Sequence, residues 1–141
     1  MTPQRCAELF GTARVARLAT VGPDGGPHLV PLVFALVEDV VYSAVDAKPK
    51  RHTALRRLAN IAHEPRVALL ADHYDEDWST LWWVRADGTA RVLDPVRDAA
   101  EAATGLAALA GRYPQYRSTP PPGPVLAVDV HRWSGWSAAS D

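Results

Sequence analysis

A mostly antiparallel β-barrel with helices attached is the fold class this sequence predicts. Three observations carry that expectation: strand-like segments dominate, two helical stretches are inserted between them, and the regular strand–helix–strand alternation of a parallel sheet is missing. The chain has 141 residues, 48% hydrophobic and 22% charged, which suits one domain over residues 1–141 with a real core.

The elements follow in order. Residues 1–12 predict a short helix anchored by Ala7, Leu9 and Phe10, limited by Pro3 and Gly11 and packed as a lid. Residues 14–21 alternate as a strand, and Gly22-Pro23-Asp24-Gly25-Gly26 supplies turn chemistry for a hairpin. The return strand is expected from His28 to Val37, followed by a Glu38-Asp39 turn and a β-branched strand over 40–45. Pro31 cannot donate a ladder hydrogen bond, so its strand belongs at a sheet edge or at a bulge.

Helical spacing then places Ala54, Leu55, Leu58 and Ala59 on one face, with Arg56, Arg57 and Asn60 turned away, and Pro65 marks the exit. Residues 66–72 predict a strand covered on both sides. After the acidic loop 73–77, residues 78–93 are β-prone but contain Asp87-Gly88, which reads either as a hairpin turn or as a bulge in one long strand. Asp94-Pro95 is a helix start, and the alanine-rich helix stops at Gly111. Residues 112–123 hold four prolines and predict a loop, and a last strand over 125–132 leads to Trp133-Ser134-Gly135-Trp136.

Charge and composition exclude several functions. A net charge of −1 gives no global field for nucleic acid or an anionic membrane, so neither is an expected partner. The one cysteine, Cys6, allows no intramolecular disulfide and no multi-cysteine metal site, which suits a cytoplasmic location. No apolar run reaches the ~20 residues of a membrane helix, and the first ten residues do not read as a signal peptide. A nucleophile elbow, a Walker loop and a Rossmann glycine fingerprint are all missing, so the chemistry is expected from a bound cofactor. No metal site is expected: His73 among Asp72, Asp75, Glu76 and Asp77 has ligand types but no ligand spacing.

The most informative stretch runs from Tyr42 to Arg57, where Lys48, Lys50, Arg51, Arg56 and Arg57 gather between a strand end and the first turns of a helix. Cations beside the unpaired N–H groups of a helix start suit a phosphate, and Ser43 and Thr53 add hydroxyls. The plain alternative is a solvated basic face. Five tryptophans, at 78, 82, 83, 133 and 136, could wall a planar ring or fill a core and an interface equally well.

Taken together, Ala16-Arg17-Leu18-Ala19-Thr20-Val21-Gly22-Pro23-Asp24-Gly25 with Pro27-His28-Leu29-Val30-Pro31, Val41-Tyr42-Ser43, and Ala62-His63-Glu64-Pro65-Arg66-Val67-Ala68-Leu69 give a pattern that resembles the pyridoxamine 5'-phosphate oxidase-like split-barrel family. Within it the chain is similar to the branch that uses the deazaflavin coenzyme F420. The resemblance implies a six-stranded antiparallel split barrel of the FMN-binding type, a homodimer with two cofactor sites along the interface, and one long strand over 82–93 with a bulge at Asp87-Gly88. It implies phosphate contacts at Arg56 and Arg57. Residues 46–55 look like an insertion, so Lys48, Lys50 and Arg51 share or take over that role in the alternative register.

The implied activity is oxidoreduction, with hydride passed from reduced F420 to a small unsaturated or quinone-like acceptor. Backbone groups of Pro31, Leu32, Val33, Ser43 and Ala44 would steady the ring edge, and the partner's Trp136 would close the cavity. His28 is the candidate proton donor, with a structural histidine as the competing reading. Two rivals stand beside this: an FMN-binding oxidase or flavin reductase of the same fold, and a non-catalytic carrier of flavin, deazaflavin or haem.

Overall fold

The structure, a computed structural model, describes residues 1–45 and 51–139, the side chains of 51–55 excepted. Helix α1 (Pro3–Thr12) begins at Thr2, whose hydroxyl accepts from the Arg5 N–H, with proline in the first turn. Strands β1 (Ala16–Val21) and β2 (Pro27–Leu32) form the expected hairpin. Its turn uses Gly25 at φ +81°, and Asp24 accepts from the Gly26 N–H.

The return strand is not continuous to Val37. It breaks at Val33-Phe34, and β3 (Ala35–Val37) pairs only with β4 (Val40–Ala44). Helix α2 (Arg51–His63), β5 (Arg66–His73), a short 3-10 turn (Trp78–Thr80) and β6 (Trp82–Val92) follow. Helix α3 (Ala99–Arg112), helix α4 (Pro114–Ser118) and β7 (Val125–Ser137) complete the order. Among the described residues, no helix is long and apolar enough to cross a membrane.

All pairings are antiparallel, in the order β2-β1-β5-β6-β7-β4-β3. This order forces the sheet to curl. Strands β2 and β3 are its two edges, yet only Val33 and Phe34 separate them. Three Cα steps reach at most about 11 Å, whereas seven strands laid flat would put their edges about 29 Å apart. The sheet therefore rolls until its edges nearly meet, leaving a split at Val33-Phe34. Seven strands replace the expected six because the backbone cannot serve both edges without interrupting its ladder. Pro31 lies on the edge strand β2, where its missing N–H costs no ladder bond.

The inside of the roll is a core of Leu18, Phe34, Leu69, Val84 and Leu126. Helix α1 contributes to it directly: Cys6 and Phe10 are fully buried, and the Phe10 ring lies 4.7 Å from Phe34 and 5.3 Å from Trp133. It is thus a core element and no lid, each such ring stabilising the fold by about 2–3 kcal/mol. A second cluster, with Tyr42, Leu93, Leu109 and Val125, lies under α3. The helix approaches closely because Gly105 faces Tyr42; a Cβ there would sit 2.8 Å from the ring.

Asn60 is buried and Ala59 exposed, so α2 turns Asn60 and Ile61 inward; the Asn60 amide is accommodated by donating to Thr20 Oγ1 at 3.1 Å. Strand β5 is covered on one face only, with Leu70 37% exposed on the other. Asp94 accepts from the N–H groups of Val96 and Arg97 as a cap, but the turn it caps precedes α3, which starts at Ala99. The proline-rich stretch includes the one-turn helix α4, and β7 continues through Trp136. Strand β6 is a single long strand whose register slips between Asp87 and Gly88; the extra residue is His131 on β7. Glycine is required there because a Cβ on Gly88 would run into the Asp129 carbonyl.

Candidate functional site

The split creates a cavity of about 330 Å³. One wall is the end of β2, with Pro31, Leu32 and Val33; the other is the end of β4, with Ser43 and Ala44. Beyond the Ala35–Tyr42 pair, β4 has no strand partner on its β3 side, so its backbone edge faces the opening. Ser43 is buried and donates its hydroxyl to the Val33 carbonyl at 2.8 Å, tying the two walls together. That hydroxyl hydrogen is therefore committed to the protein.

Arg57 supplies the charge. It lines the cavity from α2, is half-buried, and has a buried Nε with no hydrogen-bond partner. Burial pushes its pKa below the ordinary arginine value, the direction expected of a cation taken from water without a counter-charge. A buried guanidinium nitrogen without a partner is costly, and an anion in the cavity would remove that cost.

The structure thus brings six of the expected site residues around one opening: Pro31, Leu32, Val33, Ser43, Ala44 and Arg57. Others are elsewhere. Arg56 is exposed and does not line the cavity. Arg51 and Thr53 lie in the first turn of α2 with side chains outside the description, and Lys48 and Lys50 lie outside the described residues. His28 shares the inner side of β2 with Val30 and Leu32, opposite Thr20 in the ladder; it does not line the cavity, and its Nδ1 is buried without a partner. Trp136 pairs with Trp83 on the outer side of the β6–β7 ladder and is 45% exposed.

Val15 and Tyr116 complete the lining and were not anticipated. No spacing in the sequence links them, because the residue before β1 and helix α4 meet here only through the fold. A clamp from the end of α3 was equally hidden. Arg112 donates Nη1 to the Phe34 carbonyl at 2.8 Å and Nη2 to the Ala13 carbonyl at 2.6 Å. The Tyr113 hydroxyl accepts from the Phe34 N–H at 3.2 Å and lies 2.9 Å from the Phe34 carbonyl. These two side chains provide the partners that the interrupted ladder at Phe34 lacks, and so hold the cavity's β2 wall in place.

Arg112→Ala is expected to cost about 2 kcal/mol, since two carbonyls lose charge-assisted partners. A urea titration reads that loss. Arg112→Lys, which can reach one carbonyl but has no fork for both, should recover about half of it.

A family model described as pyridoxamine 5'-phosphate oxidase matches residues 2–137. The chain belongs to the pyridoxamine 5'-phosphate oxidase family. The curled antiparallel sheet with its split edges is the fold this membership leads one to expect, here with seven strands. A comparison with curated proteins finds no match.

Solved structures of similar fold include a conserved hypothetical protein from Mycobacterium tuberculosis, 22% identical, with TM-score 0.76 over 98% of this chain and 86% of that one. An FAD-binding protein from Mesorhizobium loti is 20% identical, with TM-score 0.73 over 96% and 94%. The haem storage protein HutZ from Vibrio cholerae is 14% identical, with TM-score 0.69 over 95% and 90%. At these identities the likeness concerns the fold alone. Among the described residues of this chain, no group of three or more metal-ligating side chains comes together.

Proposed function

We propose that this member of the pyridoxamine 5'-phosphate oxidase family binds a phosphate-bearing flavin-type cofactor in the split and is an oxidoreductase. The observation that carries the reading is Arg57: a half-buried guanidinium, without a partner at Nε, in a cavity between two strand edges. Arg57 would take the phosphate, and the backbone at Pro31 to Val33 and at Ser43 and Ala44 would hold the ring edge. Flavin mononucleotide is the first candidate, because Arg57, which lines the cavity, suits a single phosphate. Coenzyme F420 is the second, and its more acidic tail would draw on Lys48, Lys50 and Arg51.

When bound, such a cofactor supplies hydride chemistry; the chain's own work is to orient it and exclude water. Val15 and Leu32 present an apolar wall, and Arg57 anchors the charged end. No proton donor is assigned to His28, which lies off the cavity.

The reading includes a homodimer in which the partner's Trp136 closes the site. In its support, Leu29 and Leu70, 66% and 37% exposed, lie with the partly exposed Ala19 and Ala68 on one outer sheet face.

The test is parallel equilibrium titration of the purified protein with flavin mononucleotide and F420, with sedimentation velocity expected to give twice the 15.3 kDa chain mass. Micromolar or tighter binding of either, followed by oxidation of the chemically pre-reduced cofactor by a quinone acceptor, supports the reading. Stoichiometric binding without turnover would favour a carrier, and binding of neither would end it.

A further inference from the structure

A second hollow, of about 400 Å³, lies beside the split and is lined by Arg14, Val15, Arg17, Asp72, His73 and Trp82. Two features join it to the proposed cofactor cavity. Val15 lines both, and Arg17 is the cross-strand partner of Pro31, which lines the cofactor side. A ligand here would lie one side chain away from a ring held in the split.

Its charges do not balance. Arg14 commits only Nη1, to the Arg112 carbonyl at 3.1 Å, and is held near the Tyr113 ring at 5.9 Å. Arg17 reaches Asp72 only loosely, at 3.8 Å, with the two side chains 46% and 34% exposed. His73 is engaged with Asp75 at 2.9 Å, outside the lining. Within the lining, two guanidinium groups thus face one carboxylate, with the Asp75 carboxylate tied to His73 just outside it. Trp82, packed partly into the core, gives the hollow a fixed aromatic wall.

We infer that this hollow is the acceptor site and that it selects a planar, unsaturated ligand bearing one carboxylate, with the carboxylate on Arg14 and Arg17 and the flat body against Trp82. The inference rests on the cofactor reading for the word acceptor, but its charge selectivity can be read without any cofactor.

The probes are trans-cinnamate and cinnamamide, which share a flat unsaturated body and differ in charge, titrated calorimetrically into the purified protein. Cinnamate is expected to bind about tenfold more tightly than the amide. That preference should vanish in Arg14→Gln/Arg17→Gln and should grow about threefold in Asp72→Asn, which removes the opposing carboxylate. Equal affinity for the two probes, or a preference that survives in the double variant, overturns the site.

Flavin mononucleotide affinity is measured on the same proteins. Loss of cofactor binding in Arg14→Gln/Arg17→Gln together with loss of cinnamate selectivity would assign the hollow to the cofactor's own anionic tail and overturn the acceptor site. If the unaltered protein binds no cofactor but keeps the cinnamate preference, the anion site stands and the cofactor reading alone fails.

Discussion

Replacing Arg57 with methionine is expected to weaken flavin mononucleotide binding at least about a hundredfold while raising the melting midpoint of the cofactor-free protein by about 3 °C. The two effects have one cause. In the free protein the guanidinium is half-buried and its Nε has no partner, so its desolvation is uncompensated. Methionine keeps much of the stem's packing and removes the charge. With a phosphate in the split, the same guanidinium would gain charge-assisted hydrogen bonds that methionine cannot make. Arg57→Lys should bind about tenfold more weakly than the unaltered protein, having charge without the planar fork. Thermal melts with and without cofactor, together with a fluorescence titration, separate these outcomes. A variant that melts lower and binds normally would make Arg57 a structural residue.

Arg91→Ala should produce the largest loss of stability, about 3 kcal/mol after discounting for partial solvent screening. Arg91 joins three elements: it donates to both Glu101 oxygens of α3 at 2.9 Å each and to both Asp129 oxygens of β7 at 2.7 and 3.0 Å. Glu101 also accepts from the Tyr42 hydroxyl at 2.8 Å, linking β4. Removing the guanidinium leaves two carboxylates with no cation between them. Arg91 and Asp129 are each 38% exposed and Glu101 31%, which is why the loss stays below that of a fully buried pair.

The network also has a pH signature. Hydrogen bonds from Arg91, then from Tyr42, hold the Glu101 carboxyl down at about 2 from an ordinary 4.5. An acid whose pKa is depressed by folding stabilises the fold above its ordinary value and loses that contribution as pH falls towards the folded one. Melting midpoints of the unaltered protein should therefore fall between pH 4.5 and 2 by a component that Arg91→Ala lacks. At the other extreme, burial and then Glu101 push the Tyr42 hydroxyl up to about 12 from 10, so its contribution is present below pH 10 and lost as pH rises through about 12. A urea series across pH reads both limbs.

Much of the fold is legible in the sequence because it rests on local physics. The Gly22 to Gly26 turn, the edge position of Pro31 and the alanine-rich helix each follow from backbone preferences that need no distant partner. The unbroken β6 was settled at the sequence level only by the family resemblance, since Asp87-Gly88 by itself also reads as a hairpin. The misreadings are of another kind. Asn60 reads as an outward residue by polarity, yet Thr20, 40 residues away, receives its amide inside the barrel. Residues 28–37 read as one strand by propensity, yet closing the roll interrupts them.

The same division holds for the candidate site. Local chemistry determined that cations follow β4 and begin a helix, and that the chain carries no hydrolytic or Rossmann signature of its own. Tertiary structure alone decided which described cation faces the split, that Val15 and Tyr116 join Pro31 and Ser43 there, and that Arg112 and Tyr113 hold Phe34. A sequence pattern reports what each residue prefers among its near neighbours. The cavity between the two edges of the curled sheet is completed and held by contacts between segments about 80 to 100 residues apart, which local preferences do not encode.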